Sequence, residues 1–174
     1  HSAIKHLYDF PESVFAYRYG FIGAGAMAEA IVSGMIQSGL CSASDIVMSN
    51  RSTEKLENMK TMYGVATVLN NSLVMQQAEY IILAVKPQQF SAVCESLQSI
   101  PGSKQVIVSI MAGLSIATIK EKLGDCIVFR AMPNTPAKIG WGMTGLSCDA
   151  EANEAHRQIV QGMFDRSEER RVGK

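Results

Sequence analysis

Several kinds of feature are missing from this sequence, and each absence closes off a class of protein. No apolar run approaches the ~20 residues that a membrane-crossing helix requires. Neither sign of charge is in excess, with 16 basic and 16 acidic residues, so no long-range field draws the chain to nucleic acid or to an anionic membrane. The four cysteines, Cys41, Cys94, Cys126 and Cys148, contain no C-x-x-C pair, and no histidine lies near enough to complete a zinc site. They read as reduced core residues, and no metal is expected. No signal peptide is visible, so the expected compartment is the cytoplasm. There is no internal repeat and no low-complexity linker. No His–Asp or paired-carboxylate arrangement stands out, so no residue is assigned a catalytic role.

What is present is a globular composition, 47% hydrophobic and 18% charged, in 174 residues, enough for one domain with a sizeable core. Residues 1–16 fit no periodic template and read as an extension outside the fold. From Tyr17 the pattern alternates. Strands are predicted at 18–23, 45–49, 65–68, 80–85, 105–110 and 126–131, and helices at 26–38, 52–62, 72–78, 88–98, 115–123 and 150–163. Several strands are unbroken apolar runs, IILAV and VIVSI among them, as when helices cover both faces of a parallel sheet. Gly39 is placed to end the first helix. Ser52, Ser72, Ser115 and Asp149 are placed as N-caps, and Pro87 in a first helical turn. The expected fold is α/β: a Rossmann-type, doubly wound, mainly parallel sheet over residues 17–165. Ligands of such sheets bind outside the carboxyl ends of the strands.

The stretch that organises the rest is GFIGAGAMAEAI, residues 20–31. It reads as a strand end, a glycine-rich turn and the first turns of a helix. Gly23 permits the tight turn, Gly25 lets backbone approach a pyrophosphate, and Ala28 allows close helix–strand packing. Unpaired N–H groups and the positive end of the helix dipole then face the phosphates. After the second strand comes VMSNRS, residues 47–52. The acid that normally holds two ribose hydroxyls is absent there, and Ser49, Asn50, Arg51 and Ser52 stand in its place. A guanidinium with hydroxyl and amide donors suits a 2′-phosphate, so the expected cofactor is NADPH, with NADH possible.

Three further strand ends carry candidate site loops. AVKPQ, residues 84–88, puts Lys86 at the lip of the sheet. SIMAGLS, residues 109–115, keeps Ala112 and Gly113 small, which lets backbone approach a flat ring. RAMPNTPAKIGWG, residues 130–142, holds Asn134 and Thr135 between two prolines in a stiff polar loop.

Taken in order, GFIGAGAMAEAI, SNRS, LAVKPQ, SIMAG and RAMPNTPA resemble the N-terminal domain of the pyrroline-5-carboxylate reductases, over residues from about 18 to about 164. The resemblance implies NADPH-dependent reduction of the C=N bond of 1-pyrroline-5-carboxylate to L-proline. It implies that Ile22, Gly23, Ala24, Gly25, Ala26 and Met27 embrace the pyrophosphate. Ser49, Asn50 and Arg51 would hold the adenosine phosphate end, and Asn71 would contact the cofactor. Ala84, Val85, Lys86 and Pro87 would line its cleft, with Met111 and Ala112 near the nicotinamide. Asn134 and Thr135 would shape the substrate side.

The family continues into a helical domain that forms the dimer and most of the substrate pocket, so the chain is expected to be the cofactor-binding fragment, inactive by itself and an oligomer only at full length. The last nine residues, RSEERRVGK (166–174), break the family pattern and resemble a translated adapter oligonucleotide, so they are expected to be a non-native tail. Two alternatives stay open: a related NADP-dependent oxidoreductase of the 3-hydroxyacid or deazaflavin type, and a non-catalytic NADP-binding paralogue.

Overall fold

A computed structural model describes residues 14–133 and 143–165. Seven strands form one sheet in the order β3-β2-β1-β4-β5-β6-β7. They are β1 Tyr17–Ile22, β2 Ile46–Ser49, β3 Ala66–Val68, β4 Ala78–Leu83, β5 Val106–Ser109, β6 Ile127–Pro133 and β7 Met143–Cys148. The first six are parallel, and β7 runs antiparallel to β6. The helices are α1 Ala26–Gln37, α2 Thr53–Tyr63, α3 Asn71–Gln77, α4 Phe90–Glu95, α5 Ile116–Leu123 and α6 Glu154–Phe164, with short 3-10 turns at Ala43–Asp45 and Pro87–Gln89.

Two cores sandwich the sheet, and the period of two along each strand decides which side chain enters which core. Phe21, Met48, Ile82, Val108 and Phe129 point to one face, where Ile31 and Met35 of α1, Leu56 and Met59 of α2, and Val160, Met163 and Phe164 of α6 cover them. Ile22, Val47, Ile81, Leu83, Ile107 and Val128 point to the other, against Val74 and Met75 of α3, Phe90 and Val93 of α4, and Ile119 and Leu123 of α5. This is the expected doubly wound α/β arrangement. The strand order reverses direction at β1 and β4, which opens a crevice above their carboxyl ends.

The differences from the sequence reading have local causes. The antiparallel strand β7 was not expected. Among its described side chains, Leu146 and Cys148 pack partly buried on the first core. The helix expected at 88–98 begins as a 3-10 turn and ends at Glu95. Beyond it the chain is held by Ser72, whose hydroxyl donates to the Ser96 carbonyl and accepts from the Gln98 N–H. Ser72 is therefore not the cap of α3. Asn70 is, accepting from the Ser72 N–H at 2.7 Å. Asp149 likewise does not cap α6; Asn153 does, accepting from the His156 N–H at 2.8 Å. Asp149 instead accepts from the Val128 N–H at 2.9 Å and pairs with Lys120 at 3.1 Å, tying the end of β7 to β6 and α5. Ser52 and Ser115 cap α2 and α5 as expected, and Gly39 follows α1 with φ 81°.

Candidate cofactor cleft

A cavity of about 610 Å³ opens over the carboxyl ends of β2, β1 and β4. Its floor is the glycine turn. At Gly23 the backbone takes φ 110°, and a Cβ there would lie 2.5 Å from the Ala84 carbonyl oxygen. The turn is fastened on both sides, with the Gly23 N–H donating to the Ser49 carbonyl at 2.8 Å and the Ala84 N–H to the Ile22 carbonyl at 2.9 Å. Gly25 differs. Its φ of −80° is open to any residue, and a Cβ there would meet nothing within 4 Å. Gly25 is also the N-cap of α1 and supplies no capping side chain, so the first N–H groups of a 12-residue helix are left without a cap from the chain. Gly23 is thus required by the fold, whereas Gly25 keeps open the space above the helix terminus.

The rim is cationic. Arg51, Lys55 and Lys86 line the cavity and no Asp or Glu does. Among the described residues, none of the ion pairs engages these three cations. Lys55 lies in the first turn of α2, where the helix dipole disfavours a positive charge. An anionic ligand offsets that cost.

Of the residues singled out in the sequence, Ile22, Gly23, Ala24, Gly25, Asn50, Arg51, Asn71, Ala84, Val85 and Lys86 are brought together in this one cavity. Ala26, Met27 and Pro87 adjoin it without lining it: Ala26 is exposed, Met27 packs partly buried on the first core, and Pro87 starts the 3-10 turn. Ser49 is fully buried below the rim, and its hydroxyl donates to the Asn71 Oδ1 at 2.7 Å. Asn71 in turn donates to the Ser96 hydroxyl at 3.1 Å. Met111 is buried in the second core, and Ala112 is exposed nearby; neither lines the cavity. Asn134 and Thr135 lie outside the described residues.

Ser52, named with Arg51 in the sequence, lines the cavity too, whereas sequence reasoning missed Lys55, Gln89, Ala92, Val93 and Ser96, which also line it. Two signals pointed to them. Lys55 stands three residues after the cap Ser52, on the turn that faces the cap. Gln89, Ala92, Val93 and Ser96 recur at helical spacing, the stripe that one face of α4 presents.

The cleft holds no nucleophile-and-base pair. Burial pushes the Cys41 and Cys126 thiols up to about 11, so both stay protonated and inert near neutrality. Among the described residues no group of His, Cys, Asp and Glu could hold a metal ion. Outside the cavity, beside Ser109 and Ser147 in the sheet register, Arg130 keeps its Nε buried with no hydrogen-bond partner among the described residues.

Comparison with known proteins agrees with this geometry. Residues 18–113 match the family described as NADP oxidoreductase coenzyme F420-dependent. Pyrroline-5-carboxylate reductase 2 of Bacillus subtilis (strain 168) is 40% identical over 141 residues, 79% of this chain and 50% of that protein. The pyrroline-5-carboxylate reductase of Vibrio alginolyticus is 33% identical over 149 residues, 85% of this chain and 54% of that protein. The solved pyrroline-5-carboxylate reductase of Coxiella burnetii superposes with a TM-score of 0.76 at 31% identity, covering 86% of this chain and 56% of that one. The chain spans about half the length of the curated relatives it matches. With its glycine turn, its crevice and its match over residues 18–113, the chain belongs to the NADP oxidoreductase coenzyme F420-dependent family, and it is similar over most of its length to pyrroline-5-carboxylate reductases.

Proposed function

We propose that this domain binds NADPH for the reduction of 1-pyrroline-5-carboxylate to L-proline. A single observation carries the reading: an open glycine edge and a cationic rim without carboxylates share one cavity. The residues fit the cofactor. The uncapped first turn of α1, at Gly25, Ala26 and Met27, suits the pyrophosphate. Arg51 and Lys55 suit a 2′-phosphate, which an acid at that place would repel. Ala92 and Val93 give the adenine an apolar wall, with Asn71 and Ser96 at its polar edge.

When bound, the cofactor supplies a hydride. The imine takes the hydride at carbon and a proton at nitrogen, and a protonated imine is already electrophilic. The protein's part is therefore placement and exclusion of water rather than acid–base chemistry, which accords with a cleft lacking a nucleophile-and-base pair. Asn134 and Thr135, which follow β6 in the sequence, are proposed for the substrate side. The orphaned Nε of Arg130, within β6, supports an anionic group, such as a carboxylate, on this side of the sheet.

We further propose that residues 17–165 form the cofactor half of a larger enzyme. Its oligomer and most of its substrate pocket would be built from polypeptide corresponding to the relatives' remaining length. Four free cysteines accord with a reducing, cytoplasmic setting, and no helix among the described residues is long and apolar enough to cross a membrane. A second reading, hydride transfer to a deazaflavin, follows from the family description. The test is to follow NADPH oxidation with pyrroline carboxylate and, separately, with coenzyme F420, in this domain joined to the remaining half of the Bacillus subtilis relative. Turnover with pyrroline carboxylate is expected. Turnover with coenzyme F420 alone would select the second reading.

A further inference from the structure

Asn50 lines the cleft, yet both ends of its amide are already engaged. Its Oδ1 accepts from the Ala24 N–H at 3.0 Å, and its Nδ2 donates to the Ser52 carbonyl at 3.2 Å. The residue before it, Ser49, holds the Gly23 N–H through its own carbonyl at 2.8 Å. Two successive residues at the end of β2 thus grip two successive N–H groups of the glycine turn, one through backbone and one through a side chain. The Ser52 end matters equally, because Ser52 caps α2 by accepting from the Lys55 N–H. The Asn50 amide therefore joins the helix terminus that faces the pyrophosphate to the segment carrying Arg51 and Lys55.

We infer that Asn50 is a positioning residue, a strut that sets the spacing between the glycine turn and the cationic rim, rather than a reader of the adenosine phosphate. Asn is the side chain of this size that supplies both an acceptor and a donor. Asp could accept from Ala24, but it would set a carboxylate oxygen against the Ser52 carbonyl. Without the strut the turn and the rim move independently, and any dinucleotide must order them on binding. The inference rests on the cofactor reading given above. It differs from a direct contact in what it predicts for the empty protein and for the two cofactors.

The experiment compares the 174-residue chain with its Asn50→Leu and Asn50→Asp variants. Amide hydrogen exchange at Ala24 is read by NMR without any ligand, and dissociation constants are then measured for NADPH and NADH. Asn50→Leu should speed Ala24 exchange about tenfold or more, the effect of losing one hydrogen bond. It should weaken both cofactors by a common factor of about tenfold. Asn50→Asp keeps the acceptor but loses the donor to the Ser52 carbonyl, so Ala24 stays protected while NADH weakens by about the same tenfold as in Asn50→Leu. NADH is the readout there because a carboxylate repels the 2′-phosphate.

Equal Ala24 exchange in the wild-type chain and Asn50→Leu would overturn the inference. So would a loss confined to NADPH, which would make Asn50 a phosphate reader. A wild-type chain that bound neither cofactor would sink the cofactor reading instead, while the exchange measurement still decided the strut.

Discussion

Gly23 and Gly25 sit two residues apart in one turn and answer to different constraints. Gly23 needs its positive φ and has backbone oxygen 2.5 Å from where a Cβ would stand. Gly23→Ala should therefore destabilise the free chain by about 2–4 kcal/mol, combining left-handed strain with a backbone shift. A urea titration reads that loss directly. Gly25 has ordinary dihedrals and open space, so the steric argument for glycine there concerns the ligand and not the fold. Gly25→Val should leave the urea midpoint close to wild type and abolish the thermal stabilisation that NADPH gives. In the wild-type chain that stabilisation is about 2.7 kcal/mol at a hundredfold excess over Kd. A Gly25→Val chain still stabilised normally by NADPH would show that the cavity above the helix terminus is not where the pyrophosphate lies. Of the two, Gly23 has the positive φ and Gly25 does not.

Two elements owe their position to single polar side chains. Gln105, buried just before β5, donates to the Met75 and Ala78 carbonyls and accepts from the Gly102 N–H at 2.7 Å. It fastens the junction of α3 and β4 to the segment before β5. Gln105→Leu strands buried carbonyls and should cost about 2–4 kcal/mol, seen as a lower urea midpoint with no change in the ratio of NADPH to NADH affinity. At α6, the Asn153 N–H donates to the His156 Nδ1 at 3.3 Å, which requires neutral imidazole. Burial lowers the His156 pKa below 6.5. With the folded value depressed, the unfolded chain takes up the proton first as pH falls, so this contribution is intact above about pH 6.5 and declines below it. The thermal midpoint should fall from pH 7.5 to pH 5.5, and less steeply in His156→Gln. Identical slopes would remove His156 from the account.

The six parallel strands and most helices were legible because each is a periodic run bounded by Gly, Pro or a cap. What was not legible depended on partners distant in sequence. The helix α4 stops early because Ser72 holds the segment after it. Asp149 gives up a capping role for Lys120 and the Val128 N–H. The strand β7 carries too short an alternation to declare itself. The glycine turn and Arg51 could be read from spacing alone, whereas the wall that α4 gives the cleft follows from how the sheet folds over itself.

As a whole, the molecule is a cofactor cleft built on a rigid sheet. On the proposed reading, the described residues hold the dinucleotide and offer the substrate little beyond Arg130, so the division of labour proposed above has a direct consequence. Residues 17–165 by themselves should bind NADPH and oxidise it with pyrroline carboxylate at no more than about a thousandth of the rate reached when the domain is joined to the relatives' remaining half, because orientation dominates such a transfer. Comparable rates would place the substrate site within this domain.

The central claim is that the cleft reads the 2′-phosphate through its cationic rim, and Arg51→Ala tests it most directly. Dissociation constants for NADPH and NADH are to be measured on the wild-type chain and on this variant under the same salt. Loss of a charge-assisted phosphate contact should cost about 1.5–3 kcal/mol for NADPH, a weakening of roughly ten- to a hundredfold, and leave NADH within about twofold. Equal weakening of the two cofactors, or none, would contradict the account.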